Sequence, residues 1–192
     1  YPPIGPVKYG YDLAVRNGHG LVVSENRGGA FTITDGVFSS TSPSRVLVSK
    51  GHRSDRPVTV SNGTDYLVVW QSPLDDGGVE LRGARIRSSD RTVLDPAGFL
   101  IASGAISSPA LASDGTDYLV AYVTSGSTVT ARRIRSSDGI VEAPVAVGAG
   151  ESAAVACDGT NYFVAWTKSR VEHLGDGGVQ AGRRVNAQTM AF

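Results

Sequence analysis

Short apolar segments alternate with turn residues along the whole chain, and the three most apolar segments are nearly identical. They read YLVVW at 66–70, YLVAY at 118–122 and YFVAW at 162–166. Runs of this length that are rich in β-branched and aromatic residues are typical of strands covered on both faces. No segment keeps the 3.6-residue periodicity of an amphipathic helix over three turns. The pattern therefore predicts an all-β protein.

A turn signal precedes each apolar run. The turn dipeptides are Asn17-Gly18, Asn62-Gly63, Asp114-Gly115 and Asp158-Gly159. Such dipeptides suit tight hairpins because glycine adopts positive φ without steric cost. A ring of the same side-chain oxygens could alternatively bind a cation, but asparagine at two of the four positions weakens a hard-cation site. We predict hairpin turns.

The turn glycines also mark an internal repeat. They are separated by 45, 52 and 44 residues, and propeller blades span about 40–50 residues. A second motif keeps the same order, since GARIRSSD at 83–90 recurs as ARRIRSSD at 131–138. Each unit contains four predicted strands, and the prolines near the fourth favour an edge position. Four such units without helices predict a four-bladed β-propeller with four antiparallel strands per blade.

The repeat also predicts how the ring closes. We expect one propeller domain over residues 1–192, with blades at about 11–50, 56–104, 108–148 and 152–192. The last unit lacks a fourth strand, and PIGPVKYG near the start of the chain resembles the fourth strand EAPVAVGAG of the third unit. The N-terminal strand, residues 3–8, is therefore predicted to pair into the last blade. The alternative is that the chain is a piece of a longer tandem array.

The repeated text SDGTDYLVAY…ARRIRSSDG resembles tandem repeats in uncharacterised secreted proteins of myxobacteria and similar organisms, over residues 11–190. This resemblance implies no particular activity. The blade count is similar to that of hemopexin-like domains, at the level of fold only. That second resemblance implies an ion held by backbone carbonyls in the central channel, and a terminal disulfide that Cys157, the one cysteine, cannot form. Apart from such an ion, we expect no cofactor.

Composition and charge exclude some classes of binding partner. The chain has 18 basic and 18 acidic residues and no basic run, which argues against nucleic acid or an anionic membrane as a partner. No apolar run approaches the ~18 residues of a membrane span. The chain starts at Tyr1, so either a leader has been removed or a longer protein surrounds this domain. We expect an extracellular or cell-surface bacterial protein with a protein or glycan partner.

Candidate catalytic groups are sparse. The three histidines, His19, His52 and His173, occupy predicted loops or turns without metal-ligand spacing. A Gly-x-Ser-x-Gly nucleophile motif is absent, and no paired carboxylates of the kind a glycosidase needs are evident. The acidic loops at 75–78 and 175–178 are predicted to be loop tips. Cys157 is predicted to be a small buried hydrophobe. We therefore expect no enzymatic activity and no catalytic residue, and leave a metal site open.

Two sets of side chains recur at fixed repeat positions. The aromatic set is Tyr66, Trp70, Tyr118, Tyr122, Tyr162 and Trp166. Packing between blades is predicted for it, with sugar stacking as the alternative. The basic set forms a polar strand edge, which either stays solvated or recognises an acidic glycan or a carboxylate. The candidate ligand-binding residues from that set are Arg85, Arg87, Arg133, Arg135 and Arg184.

The expected function is that of a non-catalytic binding or scaffold module of an exported protein, which recognises a ligand or partner on one propeller face. Two alternatives remain open. One is a carbohydrate-binding lectin, and the other is a structural subunit of a surface assembly.

Overall fold

Fifteen β-strands and no helix form the described part of the chain, which comprises residues 11–16, 19–25, 30–35, 45–48, 55–168 and 180–186 of a computed structural model. The strands are β1 Tyr11–Arg16, β2 His19–Glu25, β3 Ala30–Asp35, β4 Arg45–Val48, β5 Asp55–Ser61, β6 Asp65–Pro73, β7 Val79–Arg87, β8 Phe99–Gly104, β9 Ser107–Ser113, β10 Tyr118–Thr124, β11 Thr128–Ile134, β12 Val145–Ala149, β13 Ser152–Cys157, β14 Asn161–Thr167 and β15 Gln180–Asn186. The all-β prediction is confirmed.

These strands form four antiparallel sheets, in which neighbours along the chain are neighbours in the sheet. The first sheet contains β1–β4, the second β5–β8, the third β9–β12 and the fourth β13–β15. Strands β8 and β12 follow Pro96 and Pro144, and both lie at sheet edges. Proline is tolerated there because it cannot donate a ladder hydrogen bond. Each sheet is a meander that begins at one edge and ends at the other.

Successive sheets pack face to face, and their first strands contact each other. Strand β1 contacts β5, β5 contacts β9, and β9 contacts β13. A separate apolar core fills the space between each pair of successive sheets. Antiparallel four-stranded meanders that pack face to face in chain order form a β-propeller-like arrangement. No closed sheet forms among the described strands.

The repeated apolar run explains why the sheets stack. In β10, Tyr118 and Val120 pack against the second sheet, whereas Leu119 and Ala121 pack against the fourth. Side chains alternate across a strand, so a central strand between two cores must be apolar at every position. All six recurring aromatic residues are buried, which confirms the predicted packing between sheets. They offer no exposed ring for sugar stacking.

The repeated turn is built from hydrogen bonds that each copy makes in the same way. The Oδ1 atoms of Asn62, Asp114 and Asp158 each accept hydrogen bonds from the backbone amides two and three residues later, at 2.7–3.0 Å. The following glycine has positive φ in every copy, for example 91° at Gly115. The predicted hairpin turns are confirmed at these three positions, whereas the fourth predicted turn, Asn17-Gly18, lies outside the described residues.

A close approach between the third and fourth sheets depends on glycine. The ring of Trp166 lies directly over Gly148 and Gly150 of the third sheet. A Cβ at Gly148 would overlap the ring, so only glycine lets the indole reach this depth.

Several sequence predictions fall outside the described residues. These are the N-terminal strand at 3–8, His52, His173 and the acidic loop at 175–178. The other acidic loop, at 75–78, is the tip of the β6–β7 hairpin, where the Leu74 amide donates to the Gly78 carbonyl at 2.8 Å. That loop-tip prediction is confirmed.

Candidate functional site

A polar groove lies between the second and third sheets, at the edge where the repeated hairpins end. Its volume is about 630 Å³, within the range of ligand sites. It is lined by Asn62, Gly63, Thr64, Asp65, Arg87, Ser88, Ser89, Leu94, Gly115, Thr116, Ser136 and Ser137. Leu94 is the one apolar side chain of the lining. Hydroxyl, amide and backbone groups therefore dominate its surface.

Both repeated motifs contribute to this groove. The hairpins that follow β5 and β9 form one wall, and the two SSD segments that follow β7 and β11 form the other. Ser88 connects the walls, since its amide donates to the Thr64 carbonyl at 3.2 Å and its hydroxyl donates to the same oxygen. The Nδ2 of Asn62 donates to the Thr116 carbonyl at 2.8 Å and so joins the two sheets.

Arg85 is buried beside the groove and bridges the two sheets. Its Nε and Nη2 donate to the Oδ2 and Oδ1 of Asp95 at 2.8 and 2.9 Å, and its Nη1 donates to the Ser136 carbonyl at 2.7 Å. The hydrogen bond with Asp95 raises the pKa of Arg85, although burial opposes this shift. The two-point geometry is the strong form of an arginine–carboxylate pair.

Arg133 occupies the same repeat position in the third sheet but has a different partner. Its Nη2 lies 2.6 Å from Oδ2 of Asp117, the residue that immediately precedes the apolar run of the same sheet. The other oxygen of Asp117 accepts a hydrogen bond from the Ser136 amide at 2.8 Å. Both carboxylate oxygens of Asp117 are therefore satisfied within its own sheet.

Asp65 is the second-sheet counterpart of Asp117, but it forms no ion pair with any residue that the structure describes. Its Oδ1 is buried and has no hydrogen-bond partner. Burial raises the pKa of Asp65, and the charges of Arg87 and Arg85 together with the Ser88 amide only partly offset this shift. The hydroxyl of Tyr118 is also buried without a partner, and burial followed by the charge of Asp65 raises its pKa. The groove thus contains an acidic group whose charge is poorly compensated.

The structure distributes the remaining predicted arginines over different surroundings. Arg87 lines the groove and pairs with Asp90 at 3.2 Å, whereas Arg135 pairs with Asp138 at 2.7 Å. Arg184 lies in β15 of the fourth sheet and is exposed. Of the five arginines, Arg87 lines the groove, and Arg85 donates to the carbonyl of the lining residue Ser136. Ligand contact by this set stays a prediction, and Arg85 is a buried residue, not part of a solvated edge.

The first strands carry a carboxylate that sequence reasoning missed. Asp12 of β1 accepts hydrogen bonds from the Leu13 amide at 2.9 Å and from the Thr59 amide of the second sheet at 2.8 Å. A polar residue in a strand that packs against its neighbour was the available signal. Among the described residues, no three His, Cys, Asp or Glu side chains are grouped so as to hold a metal ion.

Cys157 occupies the repeat position that Ser61 and Ser113 fill in the preceding sheets. Its Sγ accepts a hydrogen bond from the Gly159 amide at 3.3 Å, as the two serine hydroxyls do for Gly63 and Gly115. It packs half-buried against the core between the third and fourth sheets. Burial raises the pKa of its thiol, which disfavours the reactive thiolate.

No protein-family model matches the sequence, and no curated protein is similar to it. Solved structures are similar at the level of fold. The GH43 endo-arabinanase from Bacillus licheniformis is 11% identical, with a TM-score of 0.56 over 94% of this chain and 72% of that one. The GH43_1 enzyme from Xanthomonas citri complexed with xylotriose is 9% identical, with a TM-score of 0.56 over 95% and 71%. The Dos1 propeller is 12% identical, with a TM-score of 0.54 over 80% and 41%.

These likenesses show a β-propeller fold, and they correct one expectation. The chain was expected to be a non-catalytic module without enzymatic activity, but the structures similar over most of its length are mainly glycoside hydrolases. The physical reason for the error is that propeller loops and inner strands bring together side chains from separate blades. The absence of a local motif is therefore weak evidence against catalysis. The resemblance to myxobacterial repeats stays a prediction.

A search of the described residues for a helix long and apolar enough to cross a membrane found none.

Proposed function

We propose that the protein acts on carbohydrate, binding a saccharide at the hairpin edge of the propeller and hydrolysing a glycosidic bond. The observation that carries the proposal is the groove between the second and third sheets, whose surface consists mostly of hydroxyl, amide and backbone groups. Such groups exchange hydrogen bonds with sugar hydroxyls, and a few of them suffice to orient a ligand. The propeller fold shared with the GH43 enzymes supports the same proposal.

Hydrolysis requires two carboxyl groups that flank the scissile bond. We propose Asp12 as one of them; it lies on β1 at the junction of the first and second sheets, outside the groove lining, so the substrate would extend from the groove to that junction. Its Oδ1 accepts a hydrogen bond from the Leu13 amide and its Oδ2 accepts one from the Thr59 amide, which fixes the orientation of the carboxylate.

The test is hydrolysis of arabinan and xylan, measured as the release of reducing ends. We expect the wild-type protein to release them, and Asp12→Asn to lose at least about 100-fold in rate because general acid–base groups contribute on that scale. The matched control is Asp76→Asn, at the exposed loop tip between β6 and β7, which should keep full activity. Binding without any hydrolysis would refute the catalytic proposal and favour the lectin alternative. If neither polysaccharide is bound or cleaved, the whole proposal is wrong.

We also propose that the four sheets are the four blades of one propeller domain, closed by pairing of residues 3–8 with the fourth sheet. Leu13 and Val15 are 47% and 64% exposed on the side of β1 that faces away from the second sheet, and Phe163 is 45% exposed on the side of β14 that faces away from the third. Closure would bury these apolar side chains. Deletion of residues 1–9 should lower the melting temperature, and an unchanged value would refute closure.

We propose that the protein works outside the cell or at its surface, with a glycan and not a nucleic acid as its partner. No cofactor is proposed apart from an ion on channel carbonyls. Dialysis against a chelator tests for such an ion, because its removal should cause a loss of hydrolysis or of thermal stability.

A further inference from the structure

We propose that the groove between the second and third sheets binds one uncharged sugar unit, whose hydroxyl groups donate to the carboxylate of Asp65. The sugar would supply the hydrogen bonds that an arginine supplies to the equivalent carboxylate of the third sheet. This inference rests on the proposed carbohydrate activity and assigns it a binding site and a substrate class.

Asp65 and Asp117 occupy equivalent positions in successive sheets. Tyr66 pairs with Ile86 in the second sheet as Tyr118 pairs with Ile134 in the third, so Asp65 and Arg85 correspond to Asp117 and Arg133. In the third sheet this pair is joined at 2.6 Å. In the second sheet it is not joined, because all three nitrogens of the Arg85 guanidinium already donate to Asp95 or to the Ser136 carbonyl.

A single residue accounts for the difference. Asp95 lies two residues after Val93, which bridges to Ile86, and Ala143 lies two residues after Val141, which bridges to Ile134. The second sheet therefore has a carboxylate where the third has a methyl group. Asp95 draws Arg85 away from Asp65, and the amide of Arg85 also donates to Asp95 at 2.9 Å.

Asp65 is left with a charge that its own sheet does not neutralise. A partly buried carboxylate with one oxygen left without a hydrogen-bond partner is destabilising, and such incompletely compensated groups are concentrated at binding sites. Asp65 belongs to the groove lining, and its buried Oδ1 would meet a sugar hydroxyl group once the carboxylate rotates toward the groove. Binding would then stabilise the ionised carboxylate, whose pKa burial raises.

The lining selects an uncharged ligand rich in hydroxyl groups. Thr64, Ser88, Ser89, Thr116, Ser136 and Ser137 offer hydroxyl or backbone groups that both donate and accept. The cation of the lining, Arg87, is already paired with Asp90. An acidic sugar would bring its carboxylate close to Asp65 and be repelled. The acidic glycan that the arginines suggested from sequence is therefore disfavoured at this groove.

Two variants test the assignment in different ways. Asp65→Asn removes the charge, whereas Asp95→Ala keeps Asp65 but releases Arg85 to pair with it, as Arg133 pairs with Asp117. Xylotriose is the uncharged probe, trigalacturonate is the acidic probe, and Asp76→Asn is the matched control. Binding is measured by calorimetry after circular dichroism has shown that each variant is folded.

We expect wild type and Asp76→Asn to bind xylotriose equally and more tightly than trigalacturonate. Both Asp65→Asn and Asp95→Ala should weaken xylotriose binding by about tenfold or more, because hydrogen bonds to a charged group are lost. Equal xylotriose binding by all four proteins would overturn the assignment, as would tighter binding of trigalacturonate or no xylotriose binding at all. Continued polysaccharide hydrolysis in those cases would leave the proposed function standing.

Discussion

The hydroxyl of Tyr162 in the fourth sheet joins the backbone of Asp117 in the third. It donates to the Asp117 carbonyl at 3.3 Å and accepts from the Asp114 amide at 3.1 Å. Tyr118 occupies the same repeat position one sheet earlier, yet its buried hydroxyl has no partner. Two side chains of the same type, in the same register, therefore differ in how well their polar atom is satisfied.

This difference predicts opposite effects of the same substitution. Tyr162→Phe should lower the free energy of unfolding by about 1 kcal/mol because two hydrogen bonds to buried backbone are lost. Tyr118→Phe should be neutral or stabilising, since it removes a desolvated hydroxyl. Urea unfolding of both variants checks the prediction. Equal losses at the two positions would show that Tyr118 has an unrecognised partner, such as an ordered water.

The ion pair between Arg85 and Asp95 should contribute strongly to stability. Arg85→Gln leaves Asp95 without its partner and removes the bond to the Ser136 carbonyl, so we expect a loss of about 3 kcal/mol in the free energy of unfolding. Arg87→Gln is the control, since its pair with Asp90 is about half exposed, is screened by solvent and should contribute much less. A comparable loss for both variants would contradict the importance of burial and two-point geometry.

The pKa shifts of two aspartates predict opposite dependences of stability on pH. Because burial raises the pKa of Asp65, the folded state disfavours its ionised form and stability falls as pH rises through that pKa. Asp65→Asn should therefore have the higher melting temperature at neutral pH, and the advantage should shrink in acid.

Asp138 is the matched control because the Ile140 amide, followed by Arg135, lowers its pKa. Its stabilising contribution is present above the unfolded pKa and is lost as pH falls through the folded one. Asp138→Asn should therefore lower the melting temperature at neutral pH and have no effect in acid. Melting curves from about pH 2 to pH 7 cover both windows. The same trend in both variants would contradict the assignment.

The contact between Trp166 and Gly148 predicts a steric penalty. In Gly148→Ala the new methyl group would overlap carbon atoms of the Trp166 indole ring. The third and fourth sheets must then separate, which should lower the free energy of unfolding by about 1–3 kcal/mol. Gly182→Ala is the control, because a methyl group there meets its nearest atom at 3.4 Å, and it should change stability by less than about 0.5 kcal/mol. Chemical denaturation of both variants measures the difference.

The sequence was informative where one physical requirement repeats. The Asp-Gly turns and the apolar runs predicted hairpins and strands covered on both faces, and Asp114 and Tyr118 lie where that pattern requires. Local chemistry sufficed because each hairpin is held by bonds within a few residues. The propeller-like stacking followed from the same runs, since a strand that is apolar on both faces needs a sheet on each side.

The candidate site was not predictable in the same way. The repeat made Arg85 and Arg133 look equivalent, but their partners differ because Asp95 replaces the alanine of the third sheet. That exchange is visible only when two units are superimposed in space, residue by residue. The sequence pattern did not single out Asp65, because its lack of the ion pair that Asp117 forms is visible only in the structure. The candidate binding site in the groove is therefore indicated by a difference between two repeat units, Asp95 in one and Ala143 in the other.

The sulfur of Cys157 takes over the hydrogen bond that a serine hydroxyl makes in the two preceding sheets. Serine should therefore replace it at little cost, giving a thiol-free background for site-directed labelling. A maleimide dye at a new cysteine on the groove rim would then report saccharide binding by fluorescence without a competing reaction at a second sulfur.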